Sequence, residues 1–138
     1  MATPAALKSQ APAATNSMLP TMCLVAGWLI PGAGHFLLKK PVRGILLLIS
    51  VVGMFSIGIA LEGKIYQPNS GDLLDILGFV GQLGSGLLYA AARIFELGKP
   101  SVQIALADWG TKFIVVSGLL NIVAAVDAHS LASGRKAL

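Results

Sequence analysis

The chain has 138 residues, 55% of them apolar and 12% charged, with a formal net charge of +4; the usual charged fraction is about 25%. That length predicts one domain, and so low a charge density argues against a globule bathed in water. The ten Lys/Arg stand at the ends of apolar runs rather than in a stripe interleaved with aromatics, which excludes a nucleic-acid surface.

Residues 1–17 are rich in Ala, Pro, Ser and Thr, with Lys8 as the only charge, and read as a disordered tail. Residues 18–131 read as a helical membrane domain and 132–138 as a basic tail. The first apolar run, Leu19–Ile30, is too short to cross a bilayer core, which takes about 20 residues of helix. Continued through Pro31 to Leu38 it reaches that length, but with Pro-Gly inside it. The first helix, about 19–38, is therefore expected to be short or broken at Pro31–Gly34. Pro31, Gly32, Gly34 and His35 form the hairpin turn, and irregular backbone at membrane depth must be covered by protein or water. Lys39, Lys40 and Arg43 then suit anionic lipid headgroups, which places the loop 39–43 on the cytoplasmic side of a cell membrane. The single cysteine, Cys23, excludes an intrachain disulfide and a Cys-based metal site.

The second run, Gly44–Leu61, carries no charge, and Pro41 suits a first helical turn. It predicts a helix over about 42–62. Turn residues Pro68, Asn69, Ser70 and Gly71 follow. Asp72 with Asp75 three residues on predicts an N-cap and a third helix over about 72–95. Asp108 can cap a fourth, about 108–129, with Trp109 at the headgroups. The expected fold is an all-α, multi-pass membrane protein with three to four transmembrane helices.

Four uncharged polar residues interrupt the last two segments. Gln82 lies seven residues past Asp75, about 10 Å along a helix, and Asn121 six residues before Asp127, about 9 Å. In antiparallel neighbours the two amides share a level. Gln82, Ser85, Ser117 and Asn121 therefore predict a helix–helix polar seam, closed by small residues and by hydrogen bonds between the amides. The same spacing puts Asp75 near a C-terminal cluster of Asp127, His129, Arg135 and Lys136, whose cations offset a carboxylate at a helix C-terminus.

No metal-binding or nucleophile motif stands in the sequence: no HExxH, no CxxC, no Ser-x-Gly elbow with an acid and a histidine around it. GFVGQLGSG has glycine spacing but no Lys-Ser/Thr after it, which rules against a nucleotide loop. No catalytic residue, metal or cofactor is assigned.

Two stretches carry a resemblance. WLIPGAGHFLLKKPVRGILLLI resembles the hairpin of the two-transmembrane-helix domain family, in which a Gly-rich turn and a His precede an aromatic, basic residues and a second helix. GTKFIVVSGLLNIVAAVDAHSLASGRK is similar to the C-terminal signature of small uncharacterised bacterial membrane proteins that also carry a Pro-Gly-x-Gly-His hairpin. The resemblance implies the helical architecture and singles out Pro31, Gly32, Gly34, His35, Asn121, Asp127, Gly134 and Arg135.

These readings lead to a non-enzymatic integral membrane protein, acting as a scaffold or accessory subunit of a membrane complex or homo-oligomer. Its expected partners are the bilayer, anionic lipids and a protein partner or further copies of itself, and no nucleic acid. One alternative is a small channel or transporter with a polar path along Gln82, Ser85, Ser117 and Asn121. The other is a cofactor-binding or enzymatic protein using His35 or His129.

Overall fold

A computed structural model describes residues 18–68, 71–98 and 105–135; the tail 1–17, Asn69 and Ser70 of the expected turn, residues 99–104, and 136–138 with Lys136 lie outside the described residues. All regular structure among the described residues is helical: α1 Met18–Leu29, α2 Ala33–Leu37, α3 Pro41–Ala60, α4 Leu73–Leu83, α5 Leu87–Ile94 and α6 Ala105–Ala132. Two of these, α3 and α6, are long and apolar enough to cross a membrane; α4 with α5 would make a third if the bent pair were one span, and α1 is a shorter apolar helix.

α3 starts with Pro41 in its first turn, where a missing N–H costs nothing. Its 20 residues rise about 30 Å, the thickness of a hydrocarbon core. It stops where Glu62 takes a positive φ and the Gly63 N–H bonds back to Gly58 O at 2.9 Å. α6 is the central rod, packed by α3, α1 and α4. Gly58 and Gly63 let the end of α3 and the following strap lie against the backbone of Gly110 in α6, where a Cβ on Gly63 would stand 2.5 Å from the Gly110 carbonyl carbon.

The first apolar run folds as expected from its Pro-Gly: α1 ends, residues 30–32 turn, and the short α2 folds back. Gly32 has φ 81°, a left-handed conformation that suits glycine, and packs directly on the Gly44 carbonyl. Gly34 then rests against Cys23 and Ala128, so α2 lies alongside α1 and the C-terminal half of α6.

The third run differs from the single helix expected over 72–95. It is broken at residues 84–86, and α4 and α5 are bent by 113°. Asp72 does cap α4, its side chain accepting from Leu74 N at 3.3 Å. The break comes from local chemistry. Gly86 has φ 58° and its N–H turns to Leu83 O at 3.0 Å, so Gln82 O is held by the Ser85 N–H at 3.0 Å and the Ser85 hydroxyl at 2.7 Å. α5 then returns to the starting end of α4. Its Tyr89 hydroxyl reaches Tyr66 O at 2.7 Å, and Gly98 beyond it lies 2.9 Å, by its projected Cβ, from Gly63 O. The order is thus hairpin, long helix, hairpin, long helix.

Apolar side chains cover much of the outside, among them Leu73, Leu74, Leu77, Ile94 and Phe95 on α4–α5 and Leu46 and Ile49 on α3. A continuous surface of this kind suits lipid rather than water. Inside, Phe55, Ile65, Tyr89, Ala92 and Ile114 form a cluster between α3, α5 and α6, with Phe79 edge-on to Tyr89 at 5.8 Å.

Candidate functional site

α1 runs antiparallel to α6 and α4 runs parallel to it. Gly27 of α1 faces Ala125, and Gly81 and Gly84 of α4 face Val115 and Gly118. The two half-helices therefore approach the middle of α6 from opposite ends and stop there. α1 has 12 residues and α4 has 11; end to end they rise about 34 Å, close to the depth of one bilayer core. Their tips touch. Trp28 Nε1 donates to Leu83 O at 3.1 Å, and Gly86 packs on Trp28 O and Leu29.

A helix C-terminus leaves carbonyls without intrahelical donors, and in an apolar interior each needs one from elsewhere. Asn121, on α6 at the level where the tips meet, supplies them. Its Nδ2 donates to Trp28 O at 2.8 Å and to Gly84 O at 2.9 Å. This orients the amide, because a flipped group would set its oxygen against two carbonyl oxygens. Asn121 is fully buried, and its Oδ1 has no hydrogen-bond partner among the described residues.

Gln82 serves a different piece of broken backbone. The segment after α3 passes through Lys64, Ile65 and Tyr66 without regular secondary structure to satisfy its backbone. Gln82 Nε2 donates to Lys64 O at 2.7 Å, and its Oε1 accepts from Tyr66 N at 2.8 Å. Lys64 N donates to Thr111 Oγ1 at 2.8 Å, and the Tyr89 hydroxyl takes Tyr66 O. Four side-chain bonds thus replace the ladder that a strand would have had.

The expected seam therefore has a different wiring. Gln82, Ser85, Ser117 and Asn121 are all fully buried between α4 and α6. However, the two amides bond backbone groups of separate breaks rather than each other. Ser85 and Ser117 donate within their own helical segments, to Gln82 O and Ile114 O. The small residues do give close approach: a Cβ on Gly118 would collide with Gly81 O.

The charged positions also pair differently from the expectation. Asp75 meets Lys64 at 3.1 Å near the N-terminal end of α6, far from Asp127. Asp127 faces His35 from the first hairpin, with Nε2 and Oδ2 3.2 Å apart and the histidine 1% exposed. His129 is half-buried in the last turn of α6 and Arg135 is exposed just beyond it. Lys39 and Arg43 are exposed and Lys40 half-buried around the start of α3. Pro31 is buried under the turn it makes.

Sequence reasoning missed Trp28, Gly84, Gly86, Tyr66, Tyr89 and Thr111. A signal existed for the break: Gly84-Ser85-Gly86 is a glycine pair inside an uncharged run, as Gly32-Ala33-Gly34 is. For Trp28 and the strap contacts no local signal exists, since their partners lie 16 to 93 residues away.

Chemically, the groups that converge at Asn121 are uncharged amides and carbonyls. They accept hydrogen bonds or coordinate a cation, and offer neither nucleophile nor general base. Among the described residues no group of three or more His, Cys, Asp or Glu is placed to hold a metal ion.

Residues 22–137 match the model of a family of unknown function (DUF6677), and the chain belongs to that family. No curated protein and no solved structure matches it.

Proposed function

We propose that this family member is a non-enzymatic integral membrane protein that crosses the bilayer twice, by α3 and α6. The hairpins α1–α2 and α4–α5 enter from opposite faces and turn back at mid-depth. Its role is that of a scaffold or accessory subunit of a larger membrane complex or homo-oligomer. The observation that carries the reading is the use made of the interior polar side chains. Gln82, Ser85, Ser117, Thr111 and the Asn121 amide nitrogen all bond backbone carbonyls or N–H groups of the chain itself. Such an interior seals a shape rather than lining a polar path, and leaves the apolar exterior as the interacting surface.

Orientation follows from charge. One end of the bundle holds Lys39, Lys40, Arg43 and Arg135 with Asp127 as its acid; the other holds Lys64, Arg93 and Lys112 with Glu62, Asp72, Asp75, Glu96 and Asp108. The basic end belongs at the cytoplasmic leaflet against anionic headgroups, with the Pro-Gly-x-Gly-His turn resembling the two-transmembrane-helix domain rising from it. Extraction in a mild detergent, cross-linking and mass spectrometry test the role. A defined oligomer or a stoichiometric membrane partner is expected; a strictly monomeric protein with no partner refutes it. Thiol labelling from outside intact cells, with cysteines introduced at Arg135 and Glu96, tests the topology. Labelling is expected at residue 96 alone, and the reverse or labelling at both refutes it.

A further inference from the structure

We propose that the groove between α1 and the C-terminal half of α6 binds one acyl chain of an anionic phospholipid, whose phosphate is held by Thr21, His129 and Arg135. The inference rests on the membrane placement proposed above, not on the scaffold role. The groove has a volume of about 200 Å³ and is lined by Leu24, Val25 and Trp28 of α1 and by Ile122, Ala125 and Val126 of α6. Trp28 brings the single heteroatom of those side chains, and its Nε1 is spent on Leu83 O. The walls are therefore hydrocarbon throughout.

Shape and depth select the occupant. α1 and α6 touch beneath the groove: a Cβ projected on Gly27 stands 3.3 Å from Ala125 Cα. A trough between two touching helices is too narrow for a third, which is about 10–12 Å across and would ride over it. A hydrocarbon chain is thin enough to lie in it. Val126 and Ile122 come six and ten residues before the end of α6 at Ala132, so the groove runs from about 9 to about 15 Å beneath that end. Half a bilayer core is about 15 Å. The groove thus takes the deep half of a chain from the leaflet at the basic end, and stops at mid-depth beside Trp28.

The rim selects the headgroup. His129 continues the stripe of Ile122 and Val126 toward the end of α6, and Thr21 does the same for Leu24 and Val25 on α1. Thr21 and Arg135 are exposed and His129 is half-buried. None of the three side chains has a hydrogen-bond or ion-pair partner among the described residues. A hydroxyl, a ring N–H and a guanidinium fork are donors that suit the oxygens of a phosphate. The acid of that end, Asp127, lies two residues from His129 on another face of α6, where it meets His35. α1 begins at this rim, so its positive dipole end offsets the negative end of α6.

The test uses the full-length chain with Trp109→Phe, which leaves Trp28 as its single tryptophan, in vesicles of phosphatidylcholine and phosphatidylglycerol. One lipid or the other carries bromine on the deep half of its acyl chains, and quenching of Trp28 emission is followed against the brominated fraction. Brominated phosphatidylglycerol is expected to reach half-maximal quenching at about one-fifth of the fraction that brominated phosphatidylcholine needs, the preference one basic side chain gives at a membrane surface. Adding His129→Gln and Arg135→Gln should erase that difference. Equal quenching by the two lipids would overturn the proposal, as would an undiminished preference in the folded rim variant. Absence of quenching by either lipid, in protein that floats with the vesicles, would put a protein partner or a second copy in the groove and overturn it too. Protein that does not float with the vesicles refutes the membrane placement itself, so the two failures are told apart. Should the rim variant misfold, the comparison of the two lipids decides alone.

Discussion

Replacing Gln82 by Leu removes two of the four side-chain bonds that hold the strap after α3. The side chain is fully buried, and the lost contacts are 2.7 Å to Lys64 O and 2.8 Å from Tyr66 N. A buried backbone group left unpaired costs about 1–3 kcal/mol. Lys64 and Tyr66 are only half-buried, so water admitted at the strap's edge recovers part of that. A net loss of about 2–4 kcal/mol is expected for the pair. The effect is local. Tyr66 keeps its carbonyl bond to Tyr89 but loses the acceptor for its N–H. At 1.4 kcal/mol per decade, even a 2 kcal/mol opening speeds exchange of the Tyr66 amide about 30-fold. Hydrogen-exchange mass spectrometry over peptides spanning 62–68, paired with unfolding by SDS titration in mixed micelles, reads both quantities. Gln82→Glu sharpens the test, since it keeps an acceptor for Tyr66 N and loses the donor to Lys64 O. Its Tyr66 amide should stay protected while stability still falls. The reasoning fails if Gln82→Leu leaves Tyr66 exchange unchanged and shifts the unfolding free energy by less than about 0.5 kcal/mol, the range of surface substitutions.

Glycine substitutions should separate tight positions from open ones. Gly86→Ala meets a positive φ and the Trp28 carbonyl together; strain of about 1–3 kcal/mol plus the clash should cut the folded yield on size exclusion. Gly58→Ala pushes into Ile114 and stands 2.7 Å from Gly110 O, so a loss of about 1–3 kcal/mol is expected in SDS unfolding. Gly53→Ala, with nothing within 4 Å of its projected Cβ, should be neutral or gain up to about 1 kcal/mol from helix propensity; a loss equal to that of Gly58→Ala would contradict the packing described. His35→Ala opens space under the first hairpin and strips the 3.2 Å contact from Asp127 Oδ2. A cost of about 2–4 kcal/mol is expected, with faster proteolysis at residues 30–40 as a second readout.

Composition and patterning were enough for the class of molecule. Uncharged runs of transmembrane length could only be apolar helices, because hydrocarbon offers no partner to an unpaired backbone. The first break was legible for the same kind of reason: Pro31 removes an N–H, and Gly32 takes the left-handed conformation the turn needs. The Asp72 cap was equally local. The second break, at Gly84–Gly86, was read through, since Gly and Ser at helical spacing look alike whether they pack one helix on another or end it. That Gln82 and Asn121 would be buried followed from their depth in apolar runs. Which groups they bond did not, and the expected amide-to-amide contact gave way to two separate clamps on backbone.

The amino-acid order by itself thus determined where the backbone stays helical and where it must leave the helix, because those choices rest on residues a turn or two apart. Only the tertiary structure decided that Trp28 and Gly84 bring their free carbonyls to Asn121, 93 and 37 residues away. A carbonyl released by a break is indifferent to which amide satisfies it. The choice falls to whichever donor the packing of α1 and α4 on α6 carries to the same depth, and no periodicity in the chain encodes that.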